Sequence, residues 1–449
     1  MATLAVGLCS CQPAEGGVSS GEESNPSSQT TSLTVSESVS SAPEETTSSG
    51  EASSAPTVSS EDSVSSDPVS SAAPVVSAPS SSVSSEGKEE AEKVKSPLNL
   101  YNLDIYTQPY WKGQIVYHES VMVLEDATGV VADIPLLYHA DEIISVRKFH
   151  LGSEYKEGRD YTLVDGKLHI PEGSAITRTT HSFYYPSNPS STTMALNPNY
   201  GDGFIYFSEG TKFHTLQIAV TYRHSDSYDG PIPAYKGSKL PKTVAALEAG
   251  EDLNIVVYGD SICTGANSTS VVNIAPNAKP WFDMFADSLR EKYDSRITLV
   301  NTSVGGMTSQ WGAANAQERA ASKRPDLCII GFGTNDGTQQ MSPDDFRKNL
   351  QTIMDIVLAK NPDCEFIILG SIVPNKEAHI FYGNQKELME VCASFEKTGV
   401  AFADIFSIHE HFLTIKRYWD MTGNNVNHPN DFLARAYAQL MCATVIKDF

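Results

Sequence analysis

From about residue 252, five short apolar runs, LNIVVYG, ITLVN, LCIIGFG, FIILGS and VAFADI, alternate with helical periodicity near 278–293, 311–322, 343–360, 384–397 and 430–446. No other feature restricts the fold as strongly. Strands that are apolar on both faces must be covered on both faces, and helices between them bring the chain back to the same edge. The pattern therefore predicts a three-layer α/β/α domain with a parallel sheet over residues 250–449. In such sheets, chemistry gathers at the carboxyl ends of the strands. The residues just after each run are the ones to read first.

Upstream, residues 98–240 carry a different rhythm. Runs rich in β-branched and aromatic residues, GQIVYHESVMVL, VADIPLLY, EIISVRKFH, YTLVDGKLHI and FHTLQIAVTYRH, are separated by turn signals. Asp165-Gly166 is a two-residue hairpin signal. This region is expected to be an all-β sandwich, with Gly230, Pro231, Pro233, Gly237 and Pro241 marking its end. Residues 12–97 are dominated by Ser, Glu, Pro, Val and Ala and cannot bury enough surface to offset their ordering entropy, so a disordered tether is expected. Residues 1–11, MATLAVGLCSC, resemble the end of a bacterial secretion signal, and LCSC resembles a lipoprotein cleavage box ending at Cys11. A complete signal would add a basic segment and a longer apolar core. The expectation is an extracellular or cell-surface protein that meets the membrane only through a lipid on Cys11.

The net charge is −23, and residues 1–95, with 14 acidic and 3 basic side chains, hold −11 of it. Neither half has the basic patch that phosphate binding requires, which argues against nucleic acid as a partner. Beyond Cys9 and Cys11, five cysteines without CxxC pairing, Cys263, Cys328, Cys364, Cys392 and Cys442, read as small buried apolar residues. His409 and His411, in HEH, have no third ligand in view and read as surface residues. No metal or cofactor is implied.

After the first run comes YGDSICTG, with Ser261 on the turn out of a strand. The GxSxG elbow is absent, because Cys263 stands where its second glycine belongs. After the second run comes NTSVGGMTS, where Gly306 can bring a backbone N–H close to a ligand. After the third comes GFGTNDG, with the Asn335 amide suited to a developing oxyanion. His428 follows in NVNHPND. Each block alone is an ordinary turn; the combination, in this order and after these strands, carries the information. It resembles the SGNH (GDSL-type) hydrolase family over roughly residues 252–449, which implies a flavodoxin-like fold. By that resemblance Ser261 is the nucleophile and His428 the base, while the N–H groups of Ser261 and Gly306 and the Asn335 side chain form the oxyanion hole.

Most of this family places an aspartate three residues before the histidine; here that position is Asn425. The physical requirement is an acceptor for the His428 Nδ1–H, so that Nε2 faces Ser261. Three arrangements remain open. A carbonyl of Asn425, or of the backbone at 425–427, accepts the bond; a carboxylate such as Asp420, Asp431 or Glu410 does; or the chain is a non-catalytic descendant. A β-domain followed by an SGNH domain further resembles carbohydrate esterase family two. That implies an acylated polysaccharide or oligosaccharide as substrate and acetyl as the acyl group. An acyltransferase and an inert surface carbohydrate-binding protein are the alternatives. Trp311 and Trp419 are candidates for stacking on a sugar, and Phe381 and Tyr382 are weaker ones.

Overall fold

A computed structural model describes residues 101–449. The lipoprotein-like segment 1–11, with Cys11, and the linker 12–97 lie outside the described residues. The N-terminal part opens with helix α1 (Leu103–Thr107) and carries strands β1 (Ile115–Met122), β2 (Ala140–Lys148), β3 (Thr162–Val164), β4 (Lys167–His169), β5 (Thr193–Ala195), β6 (Phe204–Tyr206) and β7 (Gln217–His224), with the short helix α2 (His181–Tyr184) between β4 and β5. Strands β1, β7 and β2 pair antiparallel in that spatial order, and β3–β4 and β5–β6 form two-stranded sheets. Asp165 and Gly166 turn the β3–β4 hairpin with φ of 47° and 69°, the positive pair that a type I′ turn demands. VADIPLLY, expected as a strand, makes only one bridge, Ile134 to Leu168. Pro135 has no N–H for a ladder, while Leu136 and Leu137 enter the core as loop residues.

After helix α3 (Pro241–Glu248) the five expected strands follow: β8 (Leu253–Gly259), β9 (Ile297–Asn301), β10 (Leu327–Gly331), β11 (Glu365–Leu369) and β12 (Val400–Ala403). They form one parallel sheet in the order β12-β11-β10-β8-β9. In β8, Leu253, Ile255 and Val257 point into one core and Val256 and Tyr258 into another. That alternation is the three-layer arrangement the apolar runs predict. Helices α4 (Trp281–Lys292), α5 (Ser309–Arg319), α6 (Thr334–Thr338), α7 (Pro343–Leu358), α8 (Gln385–Ser394), α9 (Ile405–Ile415) and α10 (Asp431–Val445) connect or flank the strands. Helix α9 is not among the expected helical stretches, although its apolar residues lie on one half of its circumference. The strand order reverses between β8 and β10, so the crevice beyond their carboxyl ends is where this topology places a ligand.

The β-part packs on α10, and one apolar core runs from Val146 and Val220 through to Phe432 and Leu440. Buried polar groups fix this seam. Arg435 donates to the carbonyls of Ile105, Tyr106 and Tyr117, and Gln439 pairs with Tyr110 N–H and Tyr106 O. The Lys416–Glu119 ion pair, at 2.6 Å, has both side chains fully buried.

Candidate active site

Ser261 leaves β8 in a turn, and its carbonyl accepts the Ala266 N–H and the Thr264 hydroxyl. Beside it, Asp260 is buried and accepts the Ile262 N–H; burial pushes its carboxyl up to about 7. Cys263 fills the space that Gly259 and Gly331 leave open, since a Cβ on either would stand 2.6 Å or less from its sulfur. This explains the missing second glycine of the elbow. The Cys263 thiol is buried, as are those of Cys328, Cys364, Cys392 and Cys442.

The loop after β9 closes over the serine. Asn301 donates to Cys263 O and Val304 N–H to Gly259 O, and a Cβ on Gly305 would lie 3.6 Å from that of Ser261. Gly306 follows with φ +79° and open space beside it, a backbone that L side chains rarely adopt. Among the described residues the N–H groups of Ser261 and Gly306 donate to no protein group. Asn335, at the start of α6, spends one amide hydrogen on Met307 O at 3.0 Å and keeps the other. Its neighbour Asp336 is buried, accepts from Ser309 and Gly333, and locks the second and third blocks together.

His428 Nε2 lies 2.9 Å from Ser261 Oγ. Its Nδ1 faces two acceptors, Asn267 Oδ1 at 2.8 Å and Glu209 Oε2 at 3.3 Å. The Asn267 amide nitrogen donates to Gly423 O and Gly210 O, so its oxygen must be the atom turned to the imidazole. An acceptor at Nδ1 puts the hydrogen there and leaves the Nε2 lone pair for the Ser261 hydroxyl. Gly423 permits this approach, because a Cβ there would stand 2.5 Å from that of Asn267.

Neither Asn267 nor Glu209 stands in any block that sequence comparison would single out. Asn267 follows the nucleophile by six residues, and Glu209 enters from the β-part, just after β6. The three candidate carboxylates are all engaged elsewhere. Asp420 takes the Met122 and Arg417 N–H groups, Asp431 takes Thr269, and Glu410 pairs with Lys386 at the surface. Asn425 does not reach His428 either. With φ +75° its side chain turns into the β-part, accepting from the Tyr184 hydroxyl at 2.9 Å and donating to Tyr206 O at 2.7 Å. Its own carbonyl accepts from Asn375, and that of Val426 from Tyr418. The asparagine that shapes this loop is Asn424. Its Oδ1 gathers the N–H groups of Val426, Asn427 and His428, while its Nδ2 donates to Glu209 and Asn427.

Each of the aromatic candidates has a packing or cation partner within the protein. Trp419 meets Tyr184 edge-on at 5.2 Å, in a small core with Tyr206 and Phe213. Trp311 is covered by the Arg319 guanidinium at 5.1 Å. Phe381 joins a cluster with Ile205 and Val426, and Lys376 lies over the Tyr382 ring. His409, expected at the surface, is buried and receives the Val373 N–H, and burial pushes it down to about 3, so it stays neutral.

Residues 257–436 match the model of the GDSL-like Lipase/Acylhydrolase family. An arylesterase of Vibrio mimicus is 27% identical over 150 residues, 32% of this chain and 69% of that protein. Esterase TesA of Pseudomonas aeruginosa is 26% identical over 147 residues, 32% of this chain and 68% of its own. Among solved structures, a two-domain esterase (CEX) active on acetylated mannans, co-crystallized with mannopentaose, has a TM-score of 0.38 and 21% identity, covering 47% of this chain and 54% of that one. This chain thus spans about half the length of that enzyme. The acetylxylan esterase Axe2 of Geobacillus stearothermophilus has a TM-score of 0.35 and 16% identity, over 43% of this chain and 94% of its own. Ser261, Gly306, Asn335 and His428 all fall within the matched residues, so the site lies in the part of the chain that is similar to the GDSL-like Lipase/Acylhydrolase family.

Proposed function

We propose that the protein is an exported serine esterase that removes short acyl groups, acetyl foremost, from a neutral polysaccharide. The observation that carries the reading is the 2.9 Å contact between Ser261 Oγ and His428 Nε2 beside two unspent backbone N–H groups. Ser261 Oγ attacks the ester carbonyl as its proton passes to His428 Nε2. The N–H groups of Ser261 and Gly306 and the free Asn335 amide hydrogen receive the oxyanion. His428 then returns the proton to the departing sugar oxygen. Water, deprotonated by the same nitrogen, releases acetate and restores Ser261.

A groove of about 610 Å³ at the seam between the two parts supports a sugar polymer as substrate. Tyr185, Tyr200 and Phe204 supply aromatic surface, Asp202 and Glu377 supply carboxylates, and no lysine or arginine among the described residues lines it. Carboxylates accept hydrogen bonds and repel anions, which suits neutral hydroxyl-bearing sugars over acidic ones. Phe204, which lines the groove, lies five residues before Glu209, at most roughly 16 Å along the chain. Tyr200, 51% exposed, is the residue to remove. Tyr200→Ala is expected to raise KM for acetylated mannan about tenfold, the equivalent of ~1.4 kcal/mol, and to leave hydrolysis of an aryl acetate unchanged. Equal KM values for the polymer would separate the groove from the substrate.

The reaction is tested by acetate release from acetylated mannan and xylan, beside a simple aryl acetate. Activity on neither polymer, with the aryl ester still cleaved, would reject the polysaccharide and keep the esterase. Location outside the cell rests on the Cys11 segment and the Ser-rich stretch after it. Labelling of the full chain by a membrane-impermeant amine reagent on intact cells is the expected result, and labelling only after lysis would refute it.

A further inference from the structure

Glu209 is the one carboxylate within hydrogen-bonding reach of His428 among the described residues, and it does not belong to the α/β domain. Its loop is clasped from the other side at two points. Asn424 Nδ2 donates to Glu209 Oε1 at 2.9 Å, and Asn267 Nδ2 donates to Gly210 O at 3.4 Å. Asn424 is also the residue that gathers the backbone N–H groups around His428, and Asn267 is its closer acceptor. The turn at 209–210 therefore engages both side chains that orient the imidazole. Tyr184 and Tyr206, also of the β-part, pin Asn425 in the same loop.

We propose that Glu209, carried in by the β-part, is the charged positioning residue of His428, standing in for the aspartate that Asn425 replaces, so that the catalytic centre is complete only while the β-part is docked. The inference rests on the Ser261–His428 esterase reading. It divides two duties that one aspartate usually performs. Asn267 fixes the tautomer through a neutral carbonyl, and Glu209 supplies the negative charge opposite the imidazolium that forms when Ser261 gives up its proton. The Glu209 side chain is 52% exposed; its partial burial pushes the carboxyl up, but the hydrogen bond and charge of His428 and the Asn424 amide outweigh it, and the group sits below its ordinary value. It is thus ionised at neutral pH. Asp260, the residue before Ser261, also senses the charge of His428 but makes no hydrogen bond to it among the described residues.

The test uses the full chain with Glu209→Gln, Glu209→Asp and the double variant Glu209→Gln/Asn267→Asp. The first readout is kcat and KM on an aryl acetate. The second is the rate at which a fluorophosphonate phosphonylates Ser261, which needs the dyad but no ester substrate, so a wrong substrate assignment cannot mimic failure. Glu209→Gln is expected to lower kcat and the phosphonylation rate on the order of 10- to 100-fold, less than where an Asp-to-Asn change also loses the tautomer. KM should stay within about twofold, and the acid limb of the kcat profile should move to lower pH because the imidazolium loses its counter-charge. Glu209→Asp should retain most of the rate. Asn267→Asp in the glutamine background returns a carboxylate to the 2.8 Å position and should recover about tenfold. Asn425→Asp in that background should recover nothing, since that side chain faces Tyr184. Wild-type phosphonylation in Glu209→Gln with an unmoved acid limb would overturn the proposal. So would a loss that Glu209→Asp and Asn267→Asp both fail to relieve.

Discussion

Ser261→Ala is expected to lower both acetate release and aryl acetate hydrolysis on the order of 10⁴- to 10⁶-fold, with the denaturation midpoint unchanged. The size of the loss follows from what the hydroxyl does. It is the atom that becomes bonded to the acyl group, and its single side-chain partner is His428 Nε2 at 2.9 Å. Removing it leaves the two backbone N–H groups and Asn335 in place, so a residue of catalysis by oxyanion stabilisation persists. Stability should hold because alanine leaves only one unpaired acceptor, the Nε2 lone pair, in a cleft that water reaches. His428→Ala should cost about as much, and the double variant little more, because nucleophile and base act as a unit. Ser261→Ala retaining activity within about tenfold of wild type would remove the acyl-serine from the mechanism. It would require another nucleophile, whereas no hydrolysis by either wild type or variant would return the inert carbohydrate-binding protein as the better account.

What the sequence makes legible and what it hides divide along a physical line. Strands buried on both faces must be apolar throughout, so β8 to β12 stand out in the sequence, and the turn that follows each is found by adjacency. Ser261, Gly306, Asn335 and His428 were reachable in this way because each sits within a few residues of a strand or helix end. The orientation of His428 was not. Its acceptors come from positions 267 and 209, and no local pattern links an Asn-Ser or a Glu-Gly turn to a histidine 161 or 219 residues away. Adjacency instead pointed to Asn425, where a positive φ sends the side chain toward Tyr184. The residues named from sequence for a carbonyl acceptor and for a distant carboxylate are not the ones used: the carbonyl at Nδ1 comes from Asn267 rather than from 425–427, and the carboxylate in reach is Glu209 rather than Asp420, Asp431 or Glu410. Trp311 and Trp419 are ambiguous for a related reason. A large ring near a strand end is as useful to the seam as to a sugar, and only packing partners distinguish the two.

The seam has its own vulnerable point. Lys416→Met is expected to destabilise the protein by about 3–5 kcal/mol, read as a lowered denaturant midpoint. Lys416 Nζ lies 2.6 Å from Glu119 Oε1 and 4.0 Å from Asp420 Oδ2, with no part of either the Lys416 or the Glu119 side chain exposed. Glu119 also accepts the Tyr222 hydroxyl and the Leu137 N–H, so it is anchored in the β-part while Lys416 belongs to the α/β domain. A pair of this kind contributes little over a well-packed apolar replacement, since desolvation offsets most of the attraction. Breaking it from one side is different, because Glu119 would stay buried without a counter-charge. Lys416→Met with Glu119→Gln should therefore recover a good part of the loss, as the amide oxygen still accepts from Tyr222 and Leu137 and no charge remains at position 119. If Glu209 positions His428, phosphonylation of Ser261 by Lys416→Met should fall at lower denaturant than the signal for unfolding of the α/β sheet, since undocking the β-part removes the carboxylate first. A midpoint equal to wild type in Lys416→Met would mean that Arg435, Gln439 and the shared apolar core hold the seam without the ion pair.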